Sequence, residues 1–239
     1  MTPDEDIENS ADEEGFESAE TIAQRIVAAG EADNQREVTS REDLLRLSAA
    51  GPIWGKHIFG VDLSGVDLSG RDLSETTWED VVFTGATLVE ADFARATFRR
   101  VLLNEVAAHG ASFVEADLGL DGEGRRNSLA GADLRESDFS SAWLQGVEFA
   151  QANLEEATFD GARLVDAVLI RCNARGASFI GAQLVAAVAF DALFDEAALY
   201  DADLSGANLT RASLREVDLS TTRVAGACLA DAMVSADDG

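Results

Sequence analysis

The chain has 239 residues, with 45 acids against 18 bases and a formal net charge of −27; Lys56 is its one lysine. Such a balance repels nucleic acid, whose binding is driven by phosphate contacts to Lys and Arg, so direct nucleic-acid binding is not expected. No run of 18 apolar residues exists, and the start MTPDEDIENSADEEG lacks the positive and apolar regions of a signal peptide, so neither a membrane span nor secretion is expected.

In chain order, residues 1–18 form an acidic tail, with nine acids and no base up to Glu20, a composition that predicts disorder. Two short helices follow within 19–52. SAETIAQRIVAAG and SREDLLRLSAAG each open on a serine suited to N-capping and close on glycine, which places helices over roughly 18–29 and 41–50. Ile22, Ile26 and Val27 give the first an apolar face, and Leu44, Leu45 and Leu47 the second. Their expected role is to cover the open first turn of what comes next.

From near Ile53 or Ile58 the sequence repeats with a period of five, most plainly in GVDLSGVDLSGRDLS at 60–74. Neither the 3.6-residue turn of a helix nor the alternation of a strand produces that spacing. One array covers 53–118, with centres at Leu63, Leu68, Leu73, Trp78, Phe83 and onward to Leu118. A second covers 129–235, shifted by one residue, with centres from Leu129 to Val234. Two positions before each centre sits a small residue, Arg71 and Asn127 being exceptions, and the position just before the centre is often Asp or Asn. Between the arrays, GLDGEGRRNS at 119–128 is too charged and glycine-rich for a repeat and is read as a loop. Residues 236–239 are a short C-terminal tail.

The word A-(D/N)-(L/F)-x-x over about three quarters of the chain resembles the pentapeptide-repeat proteins. That resemblance implies an all-β solenoid, a right-handed quadrilateral β-helix of four words per coil, here with a short α-helical N-terminal cap. Centre and small residue point inward, and residue i lies over residue i+20 at roughly the 4.7–4.9 Å strand spacing. Cys172 then falls in an inward slot and Cys228 just before its centre, facing out, so no disulfide is expected. The resemblance also implies a bacterial protein, placed in the cytoplasm.

Chemistry for catalysis is absent from the pattern. His57 and His109 have no partner at metal-ligand spacing, and His109, just after a centre, is expected to face water. Asp62, Asp67, Asp72, Asp92, Asp117, Asp133, Asp138, Asp203 and Asp218 share one slot with Asn153, Asn173 and Asn208. Asp and Asn are interchangeable there because either bonds turn backbone, which is turn chemistry rather than acid–base chemistry. No enzyme, cofactor or metal is expected, and function falls to the surface.

Residues 51–239 hold 31 acids and 14 bases. Spread over a rod on the order of 40 Å long, that is about one net negative charge per ~2.4 Å, against one per ~1.7 Å of duplex DNA. An acidic rod of this density suits a basic groove built for DNA, and the resemblance implies the same, since members of the family bind DNA gyrase as duplex mimics and inhibit or protect it. An alternative comes from LLRLSAAGPIWGKHIFGVDLSGVDLSGRDLS, which is similar to pentapeptide arrays of bacterial contractile, type VI-like secretion systems, where the rod is a structural or adaptor part. Three surfaces are candidates for partners: the loop residues Asp121, Glu123, Arg125 and Arg126, with Arg95, Arg99 and Arg100 as further basic islands; an outward apolar patch of Val165, Val168, Ile170, Val185, Val188 and Phe190; and the last coil around Leu229 and Val234. The last two predict a homodimer, side by side or end to end.

Overall fold

The computed structural model describes residues 37–234. The expected acidic tail, the helix over 18–29 and the tail at 236–239 lie outside the described residues. The elements are β1 (Glu37–Val38), α1 (Arg41–Ala50), β2 (His57–Phe59), β3 (Thr77–Glu79), β4 (Thr97–Arg99), β5 (Ser213–Leu214) and β6 (Met233–Val234). β1 to β4 pair in order and in parallel, each rung twenty residues after the last, as in Glu37↔His57, His57↔Thr77 and Thr77↔Thr97.

Isolated parallel bridges continue the same register along most of the chain, in four ladders. The first carries on from β4 through Asp117, Trp143, Arg163, Gln183, Asp203 and Arg223; the second runs from Asp62 to Cys228, the third from Asp67 to Met233, and the fourth from Asp72 to Ala198. The pairing thus begins one coil earlier than the sequence predicts. Val38, buried at the end of β1, occupies the place twenty residues before Ile58, a signal hidden because α1 interrupts the five-residue pattern between them.

Each word folds the same way. Its centre is buried as far as Leu214, and the next two residues turn the corner, as where Val66 N–H donates to Leu63 O at 3.1 Å. The second turn residue has left-handed φ, the mark of a type II turn, which favours glycine. Among the described residues twenty other than glycine nevertheless hold φ between 54° and 62°, at about 1 kcal/mol each. Ladder bonds on both sides and the Asp/Asn slot offset that strain: in all twelve of those positions the side chain accepts from the backbone N–H two residues on, from Asp62 to Ser64 at 2.9 Å through Asn208 to Thr210 at 3.1 Å.

Inside, centres stack on centres. Phe93, Phe113, Phe139, Phe159 and Phe179 form one column with successive centroids 5.2, 4.7, 4.9 and 4.9 Å apart and planes within 8° of parallel. Trp78 fills a centre because Thr76, in the small slot, accepts its indole N–H at 2.7 Å and donates its own hydroxyl to Leu73 O at 2.5 Å. Buried polar groups cost little when paired in this way.

α1 begins where Ser40 caps Asp43 N–H at 3.1 Å, with Glu42 and Asp43 in its positive first turn. Leu44 enters the core, while Leu45 and Leu47 pack against it half-buried. Arg71, the exception in the small slot, reaches Ser48 O at 3.3 Å and brings a cation to the helix's last turn.

Candidate functional surface

The insertion between the arrays is smaller than the loop drawn from the sequence. Rungs cross it with a step of 26 instead of 20, as in Leu102↔Ser128 and Asp117↔Trp143, so six extra residues are accommodated and the ladders resume in phase. Ser128 is already a rung, and Asn127 is 1% exposed in the inward slot. Its carboxamide replaces a turn: Oδ1 accepts from Val101 N–H at 2.8 Å, while Nδ2 donates to Leu118 O at 2.8 Å, Phe98 O at 3.1 Å and Gly119 O at 3.3 Å. Leu120 at the other end of the insertion lies over Gly146, where an added Cβ would sit 2.7 Å from Leu120 Cδ2.

Asp121, expected at a partner contact, instead organises the loop from within. Its side chain is 5% exposed and accepts from the N–H groups of Glu123 at 2.9 Å and Arg125 at 2.8 Å. The Arg125 backbone N–H, with the Arg125 guanidinium, holds the Asp121 carboxyl well below the usual carboxylate range. Arg125 also reaches Glu123 at 3.1 Å. Arg126 is exposed and has no hydrogen-bond or ion-pair partner among the described residues.

The other basic islands are likewise tied to acids. Arg95 meets Glu75 at 2.7 Å and Arg99 meets Asp117 at 2.5 Å. Arg100 joins Asp80 at 2.6 Å, Glu79 at 2.5 Å and Asp121 at 3.4 Å, and the bonds to Asp80 and Glu79 raise its pKa further. Glu79 in turn bonds His57 Nε2 at 3.2 Å. The cause is the register: residues twenty apart are neighbours, so a lone Arg in the sequence stands beside an acid in space. His109 corrects a further expectation, being half-buried with its Nδ1 enclosed and unbonded.

Charge is unevenly shared among the ladders. On the third and the corner after it lie Asp67, Glu90, Asp133, Glu136, Glu155, Glu156, Asp195, Glu196 and Glu216 against Arg135, Arg175 and Arg215. On the fourth lie Asp72, Glu75, Asp92, Glu115, Asp138, Asp160, Asp201 and Asp218 against Arg95. The first two ladders are closer to balance. They carry the apolar patch: Val168 and Val188 are successive rungs, and all six predicted residues are half-buried. Sequence reasoning missed Trp143, a rung of the first ladder 49% exposed, with the Arg163 guanidinium 3.9 Å from its ring centroid. A lone aromatic in a slot most often filled by Asp, Asn, Thr or Ser was the available signal.

At the last coil Leu229 is half-buried and Val234 is 47% exposed, so the core opens there among the described residues. Cys172 is buried, its thiol pushed up to about 12 by burial, and Cys228 is exposed with its thiol lowered by the Thr210 hydroxyl. Among the described residues no group of His, Cys, Asp and Glu could hold a metal ion, and no helix is long and apolar enough to cross a membrane.

The family model for pentapeptide repeats matches residues 62–100, 152–188 and 191–232, in eight copies. The chain belongs to the pentapeptide-repeat family. Pentapeptide-repeat proteins form right-handed β-helical solenoids and in general act as non-enzymatic partners of other proteins. Among solved structures the chain is similar to HetL, involved in heterocyst differentiation regulation in the cyanobacterium Nostoc sp. strain PCC 7120, at 25% identity over 84% of this chain and 99% of that one, with a TM-score of 0.45. It is also similar to QnrB1, a plasmid-mediated fluoroquinolone resistance protein, at 21% identity over 73% of this chain and 82% of that one, with a TM-score of 0.42. No curated protein matches the sequence.

Proposed function

We propose that this pentapeptide-repeat protein is an acidic mimic of duplex DNA that occupies the DNA-binding groove of an enzyme such as DNA gyrase or another topoisomerase, inhibiting or protecting it in a bacterial cytoplasm. The observation that carries this reading is the excess of carboxylates along the third and fourth ladders, repeated coil after coil at the ladder spacing. In this reading the outline is quadrilateral, α1 caps its first coil, the exposed Arg126 on the inserted loop adds a contact, and the working unit is a homodimer.

Purified protein at about micromolar concentration should change supercoiling by gyrase, with a weaker effect as salt rises, because attraction between exposed charges is screened. Glu136→Lys with Glu156→Lys should weaken it further. Supercoiling untouched at low salt, with and without a quinolone, sinks the mimic and hands the rod to the adaptor role in a contractile secretion system.

A further inference from the structure

One strip of the rod has the chemistry of an interface core. On the first ladder Trp143 is followed by Arg163, whose guanidinium covers its ring, and Val165 and Val185 stack one coil apart beside them. On the second, Val168 and Val188 are consecutive rungs, and Phe190 next to them lies under Arg211, 4.0 Å from guanidinium to centroid. Asp191 fixes that arginine with two bonds, at 2.7 and 2.6 Å. Aromatic residues and Arg are enriched at the centres of protein interfaces, while Asp, Glu and Lys are depleted there.

We infer that this strip is where a second copy of the chain docks, side against side. Charge selects the occupant. Two chains of net charge −27 repel each other across the third and fourth ladders, where carboxylates dominate. The strip carries Glu148, Asp166, Asp191 and Asp203 together with Arg163, Arg171 and Arg211, close to balance, so a second copy meets both signs there and little net repulsion. Both acidic sides then turn outward. The strip spans four coils, on the order of 15–20 Å along the axis, and so buries less than the ~800 Å² per partner of a standard interface. The dimer is therefore weak and concentration-dependent.

Sedimentation equilibrium of the full chain tests this. The mass should rise from one chain toward two between about 1 and 100 µM, a range suited to a small interface. Raising salt from about 0.1 to 1 M should strengthen the dimer, because repulsion between the rods is screened. That sign is opposite to the one expected for a basic partner, which separates failure of this inference from failure of the mimic. Val168→Asp with Phe190→Asp should return the mass to one chain, and Leu229→Asp with Val234→Asp should leave the dimer in place. Should the first pair disturb the coil by circular dichroism, Arg171→Glu, at an exposed turn, must weaken the dimer by making the strip acidic. A wild-type mass of one chain at high concentration and high salt overturns the proposal. So does a dimer that survives the strip variants and dissociates with the last-coil pair.

Discussion

Asn127 shows how one side chain can stand in for a peptide unit. Its Oδ1 takes the Val101 N–H and its Nδ2 serves the Phe98 and Leu118 carbonyls, all in a site closed to water. Asn127→Ala leaves that buried N–H without a partner, which costs about 1–3 kcal/mol and should lower the urea midpoint accordingly. Asn127→Asp should be at least as damaging: it keeps an acceptor but turns the donor side into a second oxygen facing two carbonyls, and it buries a charge. A milder effect from aspartate than from alanine would mean that the carboxamide's donors do not hold the corner. The same economy explains why Thr76 accompanies Trp78 and why Arg71 breaks the small-residue rule, since each answers one specific polar group nearby.

The insertion behaves as an element with a structural rim and a dispensable centre. Removing 121–126 joins Leu120 to Asn127 and restores five-residue spacing from Leu118 to Leu129, so that variant should keep the circular-dichroism spectrum and the melting temperature of the full chain. Replacing 120–127 with a Gly/Ser linker removes Asn127 and Leu120 together and should melt markedly lower. Equal melting of the two variants would show that neither rim residue matters. The boundary drawn from the sequence, 119–128, was wide because glycine and charge mark a loop from outside but not which residues close it. The five-residue pattern made the centres legible, and the Asp/Asn slot made the turns legible, because both recur locally. The ion pairs were not legible: Arg95 with Glu75, and Arg100 with Asp80, are each twenty residues apart, and their pairing depends on the register of the coils. Trp143 was passed over for a related reason, since in a slot whose residue varies from coil to coil an aromatic has no evident role until its stacked Arg163 is seen.

Across the whole molecule, carboxylates in the turns link stability to pH. Hydrogen bonds from the Ser64, Ser69 and Ser205 hydroxyls lower Asp62, Asp67 and Asp203, the Ser220 N–H lowers Asp218, and Arg135 and Arg211 lower Asp133 and Asp191. With folded values below the unfolded one of about 3.9, the unfolded chain binds protons more readily, so the stabilisation is present above that pH and is lost as pH falls through the folded values. Melting temperature should therefore be flat from about pH 7 to 5 and fall below about pH 4. Asp67→Asn should keep the plateau, because Asn153, Asn173 and Asn208 make the same bond in the same slot, and should make the acid limb slightly shallower, because one titrating carboxylate is gone. A melting temperature that rises steadily on acidification would show that relief of net negative charge outweighs the turns. The phenylalanine column adds a different kind of consequence. Phe113 and Phe139 remain parallel at 4.7 Å although six extra residues leave and re-enter the rod between them. Pitch is set from inside and is indifferent to what hangs from an edge, which makes the rod a graduated ruler with a splice port: foreign segments grafted at that edge would be displayed at a fixed height on a scaffold that does not register their arrival.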